Sequence, residues 1–394
     1  MQNSPIQKIK NIFHLFQAII ANIVYGFPGR KIKIIGITGT DGKTTTTHLI
    51  YHILKNAGKK VSMISTVYAK IGDKEYDIGF HVTTPDIFPL QKFLKESVKN
   101  GDEFFVLETT SHALDQHRIF GIPFEVSVIT NVTHEHLDYH KTYDNYVKTK
   151  AKLLLSSKYS IINSDDRSVA LLDKILKSHE KKYFSVGFKH KSDFHLSYLK
   201  KVLGYNKYNY LSAYSVTTLL NIPEKIIVKA MDTFKLPAGR LETVYKKDFI
   251  VIIDFAHTPN AFKEVLPLIR KEYLKNKGKL IHVFGAASQR DSTKRPFMGK
   301  YSDQFSDLTI LTEEDCRQED PNKICNEIAQ GISHKDKYQI ITDRQDAINK
   351  AILLAQKGDV VVLTGKSHEK SLCRGKKEYP WSEHEAVKKA LSYK

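Results

Sequence analysis

The chain has 394 residues, more than the roughly 250–300 at which a single hydrophobic core stops growing, so two or three domains are expected. An apolar fraction of 41% and a charged fraction of 26% exclude a fibre or a disordered chain, and three cysteines without CxxC spacing exclude a disulfide framework and a zinc ribbon and suit a reducing cytoplasm. The balance of 61 Lys+Arg against 43 Asp+Glu gives a net charge of +18 that attracts anions in general, but the lysines are scattered and no nucleic-acid-binding signature accompanies them, so no nucleic acid is expected as a partner.

Near the N terminus Ile9, Ile12, Phe13, Phe16, Ile19, Ile20, Ile23, Val24 and Phe27 recur at helical spacing and predict an amphipathic helix. Asn11, His14, Gln17 and Asn22 interrupt it, and no small-residue cleavage site follows, so it reads as neither a membrane span nor a signal peptide. Two uses remain. It packs on the neighbouring domain, or it makes peripheral contact with a membrane, where Lys8, Lys10, Arg30, Lys31 and Lys33 would flank the apolar stripe.

After Pro28-Gly29, residues 31–37 read as a short strand running into a glycine turn, followed by a helix over 44–56. Strands are expected at 61–66, 104–107 and 126–130, alternating with helical patterns, which implies a mostly parallel sheet covered on both faces. Leu236-Pro237-Ala238-Gly239-Arg240 breaks the pattern. A second alternating set follows, with strands near 249–253, 280–284, 308–312, 338–341 and 360–364. The expected organisation is α/β throughout: a helical extension over 1–33, a central domain over 34–237 and a C-terminal domain over 238–394.

Gly39-Thr40-Asp41-Gly42-Lys43-Thr44 lies between the first strand and the first long helix. There, inward-turned backbone N–H groups and the positive end of a helix suit a phosphate. Lys43 can reach terminal phosphates, and a hydroxyl of Thr44 or Thr45 can bind the magnesium that bridges them. The GxxxxGK[ST] pattern is not met, because Ile37 stands five residues before Gly42.

The string Gly36-Ile37-Thr38-Gly39-Thr40-Asp41-Gly42-Lys43-Thr44-Thr45 resembles the opening of the central, P-loop ATPase-like domain of the Mur ligases, particularly the MurE type. Residues 108–118 (ETTSHALDQHR) are similar to that group's E-x-S-S-H-G-L-x-Q-H-R, residues 130–140 (TNVTHEHLDYH) to its TNLxxDHLDYH, and residues 254–259 (DFAHTP) to its DYAHTP. Arg290-Asp291 with Lys294-Arg295-Pro296 matches RDxxKRP, and the matches run in order from about 34 to 385. The resemblance implies a Rossmann-like C-terminal domain and an ATP-dependent amide-bond ligase in peptidoglycan precursor synthesis. Such an enzyme phosphorylates an acceptor carboxylate to an acyl phosphate that an amino acid's amine then attacks.

The same resemblance assigns roles. Lys43, Glu108, His136, Lys150 and Arg118 are the expected catalytic set, with Thr44, Glu108, His136 and Lys150 holding two magnesium ions, Lys150 as a carbamate. Lys148 and Lys152 are near enough to leave that register open. Nucleotide binding falls to Gly39, Thr40, Asp41, Gly42, Lys43, Thr44, Thr45, Asn131, Asn209, Arg240, Asp254 and His257. Asn209 stands in Tyr208-Asn209-Tyr210-Leu211-Ser212, where the family's second Asn is Ser212, and the stretch between Ser185 and Asn209 is shorter than in the family, which implies lost peripheral strands. Substrate contacts are expected from Thr83, Thr84, Ser111, Arg118, Asp315, Arg317, Gly365 and Glu369.

Glu314-Asp315-Cys316-Arg317 stands where diaminopimelate-adding members carry Asp-Asn-Pro-Arg, and only the Arg is kept; diaminopimelate and lysine are the candidate amino acids. About 33 residues precede the central domain where the family has a UDP-binding domain of roughly one hundred, so the expected acceptor is a muramoyl peptide or other carboxylate, lipid-linked in one reading. The expected location is the cytoplasm, peripheral at the inner face of the membrane. Two other readings stay open: a folylpolyglutamate-synthase-like ligase, and a catalytically silent nucleotide-binding scaffold at the membrane.

Overall fold

In the computed structural model the structure describes residues 5–79, 82–196, 202, 204, 206–274 and 278–394. The chain forms two compact units, Met1–Pro237 and Ala238–Lys394. The first holds β1 (Lys33–Thr38), β2 (Val61–Ile64), β3 (Ala69–Ile71), β4 (Lys74–Tyr76), β5 (Phe104–Glu108), β6 (Phe124–Ile129), β7 (Ser157–Asn163) and β8 (Phe184–Val186) in one sheet of order β4-β3-β2-β5-β1-β6-β7-β8. Strands β2, β5, β1, β6, β7 and β8 pair in parallel, and β3 and β4 extend the edge antiparallel.

A parallel sheet needs helices on both faces, and the alternation in β1 shows why this one has them. Ile35 and Ile37 point to a core shared with Leu49, Ile50 and Ile53 of the helix Lys43–Asn56, and with Leu211 and Val216 of the helix Asn206–Leu219. Ile34 points the other way, to Leu90 and Leu94 of the helix Ile87–Lys99 and to Leu153 of the helix Tyr143–Leu155. Each fully buried side chain of this size contributes about 1.5–3 kcal/mol. After β1 the chain leaves toward β2; after β5 it crosses over β1 to reach β6. The carboxyl end of β1 is thus a switch point, where such sheets open a crevice for ligands.

The second unit holds β9 (Glu242–Lys246), β10 (Ile250–Asp254), β11 (Leu280–Phe284), β12 (Leu308–Leu311), β13 (Tyr338–Ile340) and β14 (Val360–Thr364) in the order β13-β12-β11-β14-β10-β9. Only β9 runs antiparallel. A hairpin of β15 (Ser371–Arg374) and β16 (Lys377–Pro380) follows. Cys316, Cys325 and Cys373 are buried and free.

Differences from the sequence reading fall at element ends. The first long helix starts at Lys43 because Gly42, in a left-handed conformation, takes the N-cap. β5 runs one residue beyond 104–107 and ends on Glu108, and β6 starts two residues early, at Phe124, and stops before Thr130. Of the shortened stretch before Asn209, residues 197–201, 203 and 205 lie outside the described residues.

The N-terminal helix spans Pro5–Tyr25 and packs on the neighbouring domain as expected, but not through its apolar stripe. The buried residues are Ala18, Ala21 and Asn22 on the opposite stripe, packed against the Ile87 region. Asn22 completes the seat by donating to the Phe120 carbonyl at 2.9 Å. A polar-and-alanine stripe approaches the protein closely and satisfies its hydrogen bonds there, which leaves the bulky stripe outward.

Candidate active site

The loop after β1 is shaped by two glycines with positive φ, +150° at Gly39 and +83° at Gly42. A side chain at Gly39 would strike the Thr130 hydroxyl, and one at Gly42 the Asn209 side chain. Asn209 therefore backs the loop, held by its own donation to Asn206 Oδ1 at 3.0 Å. From the other side Asn131 clamps it. Its carbonyl accepts from Thr40 N at 2.8 Å and its side-chain oxygen from Asp41 N at 2.9 Å. The Thr130 hydroxyl donates to the Asp41 carbonyl at 2.7 Å, and Thr133 N to the Thr40 hydroxyl at 2.9 Å. Lys43 Nζ donates to the carbonyls of Gly39, at 3.1 Å, and Thr40, at 2.7 Å, while Thr45 is buried in the first helical turn.

Glu108 reaches this loop through sheet register: it pairs with Ile37, one residue before β1 ends. Its Oε1 accepts from the hydroxyls of Thr44 at 3.1 Å and Thr66 at 2.8 Å, and its Oε2 from Thr66 N at 2.9 Å. A buried carboxylate and two hydroxyls at the head of a phosphate-type loop form a hard oxygen donor set, which fits magnesium.

Lys150 and His136 meet elsewhere, around Tyr146. Lys150 and Tyr146 are four residues apart on the helix Tyr143–Leu155 and share a face. The lysine Nζ sits 4.5 Å from the ring centroid and donates to the Gly39 carbonyl at 2.7 Å. Burial, with Lys43 next to it, holds this amine well below the usual lysine range against the pull of Asp41. Lys148 is exposed and Lys152 reaches Asp115 at 3.4 Å, so Lys150 alone of the three points into the site. His136, in a left-handed conformation, places its ring 6.2 Å from that of Tyr146 and 4.9 Å from that of His112. The four expected metal residues thus fall into two groups, Thr44 with Glu108, and His136 with Lys150.

Beyond Glu108 the acceptor candidates continue outward. The Thr83 hydroxyl lies 3.1 Å from that of Thr66, and the Thr84 hydroxyl donates to the Glu108 carbonyl at 3.0 Å. Arg118 donates to the Thr84 carbonyl at 2.9 Å, is oriented by Gln116 Oε1 at 2.7 Å and pairs with Asp86 at 3.0 Å. Ser111 lies 2.9 Å from His140, whose imidazole burial pushes down to about 3, with His112 and Lys150 adding to the effect, so the ring is neutral.

In the second unit Asp254 closes β10 and accepts from Leu241 N and Ala256 N, each at 2.8 Å. The Arg240 guanidinium lies 4.5 Å over the Phe255 ring, and His257 bonds the Phe255 carbonyl at 2.8 Å, so these three expected nucleotide residues form one surface. Asp315 accepts from buried Lys366 at 2.9 Å, and Lys366 also pairs with Glu369 at 2.6 Å. Burial alone would lower the Lys366 amine; Glu369 and Asp315 outweigh it and raise it. Gly365 is pressed against Glu314. Arg317, at φ +46°, donates to the Ser288 carbonyl at 2.8 Å. Glu369, expected among the substrate contacts, here meets Lys366.

Sequence reasoning passed over Thr66 and Tyr146. Thr66 follows β2 at the carboxyl edge where α/β sites gather, and that position was the available signal. Tyr146, whose OH is 3.3 Å from the Thr40 hydroxyl, was visible only as an aromatic one turn before Lys150.

Comparison with known proteins identifies the family. A family model described as the Mur ligase middle domain matches residues 37–225, and one described as the Mur ligase, glutamate ligase domain matches 239–367. The UDP-N-acetylmuramoyl-L-alanyl-D-glutamate–2,6-diaminopimelate ligase of Aquifex aeolicus is 41% identical over 390 residues, covering 94% of this chain and 80% of that one. Ligase 1 of the same name from Clostridium acetobutylicum is 36% identical over 412 residues, covering 98% and 83%. A solved structure of such a ligase is 28% identical with a TM-score of 0.58, covering 92% of this chain and 78% of that one. Mycobacterium tuberculosis folylpolyglutamate synthase reaches a TM-score of 0.71 at 14% identity, covering 89% and 92%, and shares the fold.

Proposed function

Since the chain belongs to the Mur ligase family, we propose that it works as an ATP-dependent amide-bond ligase of the MurE type, in peptidoglycan precursor synthesis. The acceptor is a muramoyl peptide and the incoming amino acid is diaminopimelate, the pair printed in the relatives' names. Arg317 supports diaminopimelate over lysine, because a guanidinium fork suits a second carboxylate that lysine lacks. The reaction belongs in the cytoplasm, at the inner face of the membrane.

One observation carries this reading: Glu108 meets Thr44 at 3.1 Å at the head of the phosphate-loop helix, while Lys43 and Lys150 both reach Gly39 in the same loop. Magnesium, when bound by Thr44 and Glu108 and by His136 with carbamylated Lys150, neutralises phosphate charge. Lys43 turns from the loop carbonyls to the transferring phosphoryl group and offsets the charge that spreads over its oxygens. Arg118, held by Gln116 and Asp86, presents its remaining N–H and its charge to the acceptor. The acceptor carboxylate takes the γ-phosphoryl group, the amine of the amino acid attacks the acyl carbon, and phosphate leaves.

Lys150 is suited to carbamylation because only a neutral amine adds carbon dioxide, and its burial beside Lys43 favours the neutral form. The test of the whole reading is ADP release that depends on both diaminopimelate and a muramoyl-peptide acceptor, with the amide product weighed by mass spectrometry. Lys43→Ala should abolish it. ATP binding without release under any acceptor and amino acid would leave the silent scaffold standing instead.

A further inference from the structure

The helix Pro5–Tyr25 turns its bulky apolar stripe to solvent. Ile9, Ile12, Phe13, Phe16, Ile20 and Ile23 are each more than half exposed, from 52% at Ile20 to 67% at Ile9. A face this long and continuous is far larger than the scattered apolar residues of an ordinary surface. The helix contains no Asp or Glu, and the residues just after it include exposed Arg30, Lys31 and Lys33. Those three also line a cavity of about 810 Å³ that Lys158 and Lys181 share, with Glu103 and Glu125 as its acidic members. Among the described residues no helix is long and apolar enough to cross a membrane, so the face has no spanning role.

Its seat is informative. Asn11 donates to Asp115 at 3.1 Å, Asn22 donates to the Phe120 carbonyl at 2.9 Å, and Gln91 donates to Asn22 at 3.3 Å. The first two of these bonds grip residues 111–120, the segment that carries Ser111 and Arg118. Asp115 also accepts from Tyr139 at 2.7 Å, whose ring lies 4.4 Å from that of His112. The exposed Phe120 adds to the apolar surface.

We propose that this helix lies in the surface of an anionic phospholipid bilayer, apolar stripe inward, and that it brings a lipid-borne carboxylate acceptor to the Ser111 and Arg118 side of the site. An amphipathic helix with a basic rim gains from apolar burial and from the negative leaflet together. Lipid headgroups supply the counter-charge that a second copy of the same basic rim does not. The docking half stands on the exposed face and the basic residues beside it; the acceptor half rests on the ligase reading.

Flotation of the full chain with vesicles tests the docking half. Binding should be strong on phosphatidylcholine containing about 30% phosphatidylglycerol, weak on phosphatidylcholine alone, and reduced by salt. Phe13→Glu with Phe16→Glu should lower it at least tenfold, and Arg30→Glu with Lys31→Glu should remove the anionic preference, both with an unchanged melting temperature. Flotation that these variants leave intact, or none by the native chain, overturns the proposal. So does a dimer that Phe16→Glu dissociates in the absence of vesicle binding.

The acceptor half is read by ADP release with one acceptor peptide, free or lipid-anchored in the vesicles. The native chain should favour the anchored form at least tenfold, and the Phe13/Phe16 variant should lose that preference while keeping the rate on the free peptide. Equal rates on both forms by the native chain overturn it. Silence with both forms, whatever the flotation result, removes the ligase reading.

Discussion

Lys43 and Lys150 donate to the same oxygen, the carbonyl of Gly39, at 3.1 and 2.7 Å. Burial first, then Lys43, holds the Lys150 amine well below the usual lysine range, with Asp41 opposing. A buried basic group with a depressed pKa destabilises the fold at neutral pH, since the unfolded chain takes up a proton that the folded one refuses.

Lys150→Met should therefore raise the melting temperature at pH 7 while lowering the amide-forming rate by about a hundredfold or more. The gain in stability should disappear above about pH 10.5, where the unfolded lysine is also neutral. A carbon-13 carbamate signal after incubation with labelled bicarbonate should appear in the native protein and be missing from Lys150→Arg. Its absence from both would remove the carbamate.

Glu108 and Thr66 give a graded pair. Glu108→Gln removes the negative charge from the oxygen set and should lower turnover by about a hundredfold, with a raised magnesium requirement. Thr66→Val deletes one hydroxyl but keeps the backbone donor to Oε2, so the loss should be about tenfold. Magnesium titrations of the two variants decide the matter; equal effects would mean that Thr66 does more than orient Glu108.

Gly42→Ala probes the loop. It places a side chain into Asn209 at a φ of +83°, which only glycine adopts cheaply. A stability loss of about 1–3 kcal/mol and a weaker ATP affinity are expected. Asn209→Ala makes room and should restore part of the stability of Gly42→Ala, measured as a double-mutant cycle.

Glu314 supplies a pH dependence of the second unit. Burial, reinforced by Asp315, raises its carboxyl to about 7, with Lys366, Lys294 and Arg344 opposing. The folded state then holds a proton that the unfolded chain has lost, so stability falls as pH rises from about 4.5 to 7 and stays level above. Glu314→Gln should be more stable than the native chain at pH 8 by an amount on the order of a few kcal/mol, with the difference vanishing below about pH 4.5. Denaturant midpoints across that range check the sign.

How much of this was legible in the chain follows physical lines. Residues 34–37 and 104–107 are apolar runs bounded by polar turns, so strands buried on both faces were readable without a structure. Element ends were less so, because Gly42 as an N-cap and Glu108 as a last strand residue depend on local hydrogen bonding rather than on periodicity. The stripe from Ile9 to Val24 was readable as amphipathic, yet its direction was not. Hydrophobic spacing says which residues share a face, and only the neighbours say which face is covered. Asn11, Ala18, Ala21 and Asn22 won that contact because their hydrogen bonds and small volume fit the surface offered.

The sequence by itself therefore determined the α/β class, the phosphate-type loop and the order of the motifs, since each is a local pattern carried by neighbouring residues. The tertiary structure decided what those patterns meet. Pairing of Ile37 with Glu108 brought a carboxylate to the loop from about seventy residues away, Lys150 reached the Gly39 carbonyl from a later helix, and Lys366 took Asp315. Register and packing are contacts between distant parts of the chain, and no local spacing encodes them.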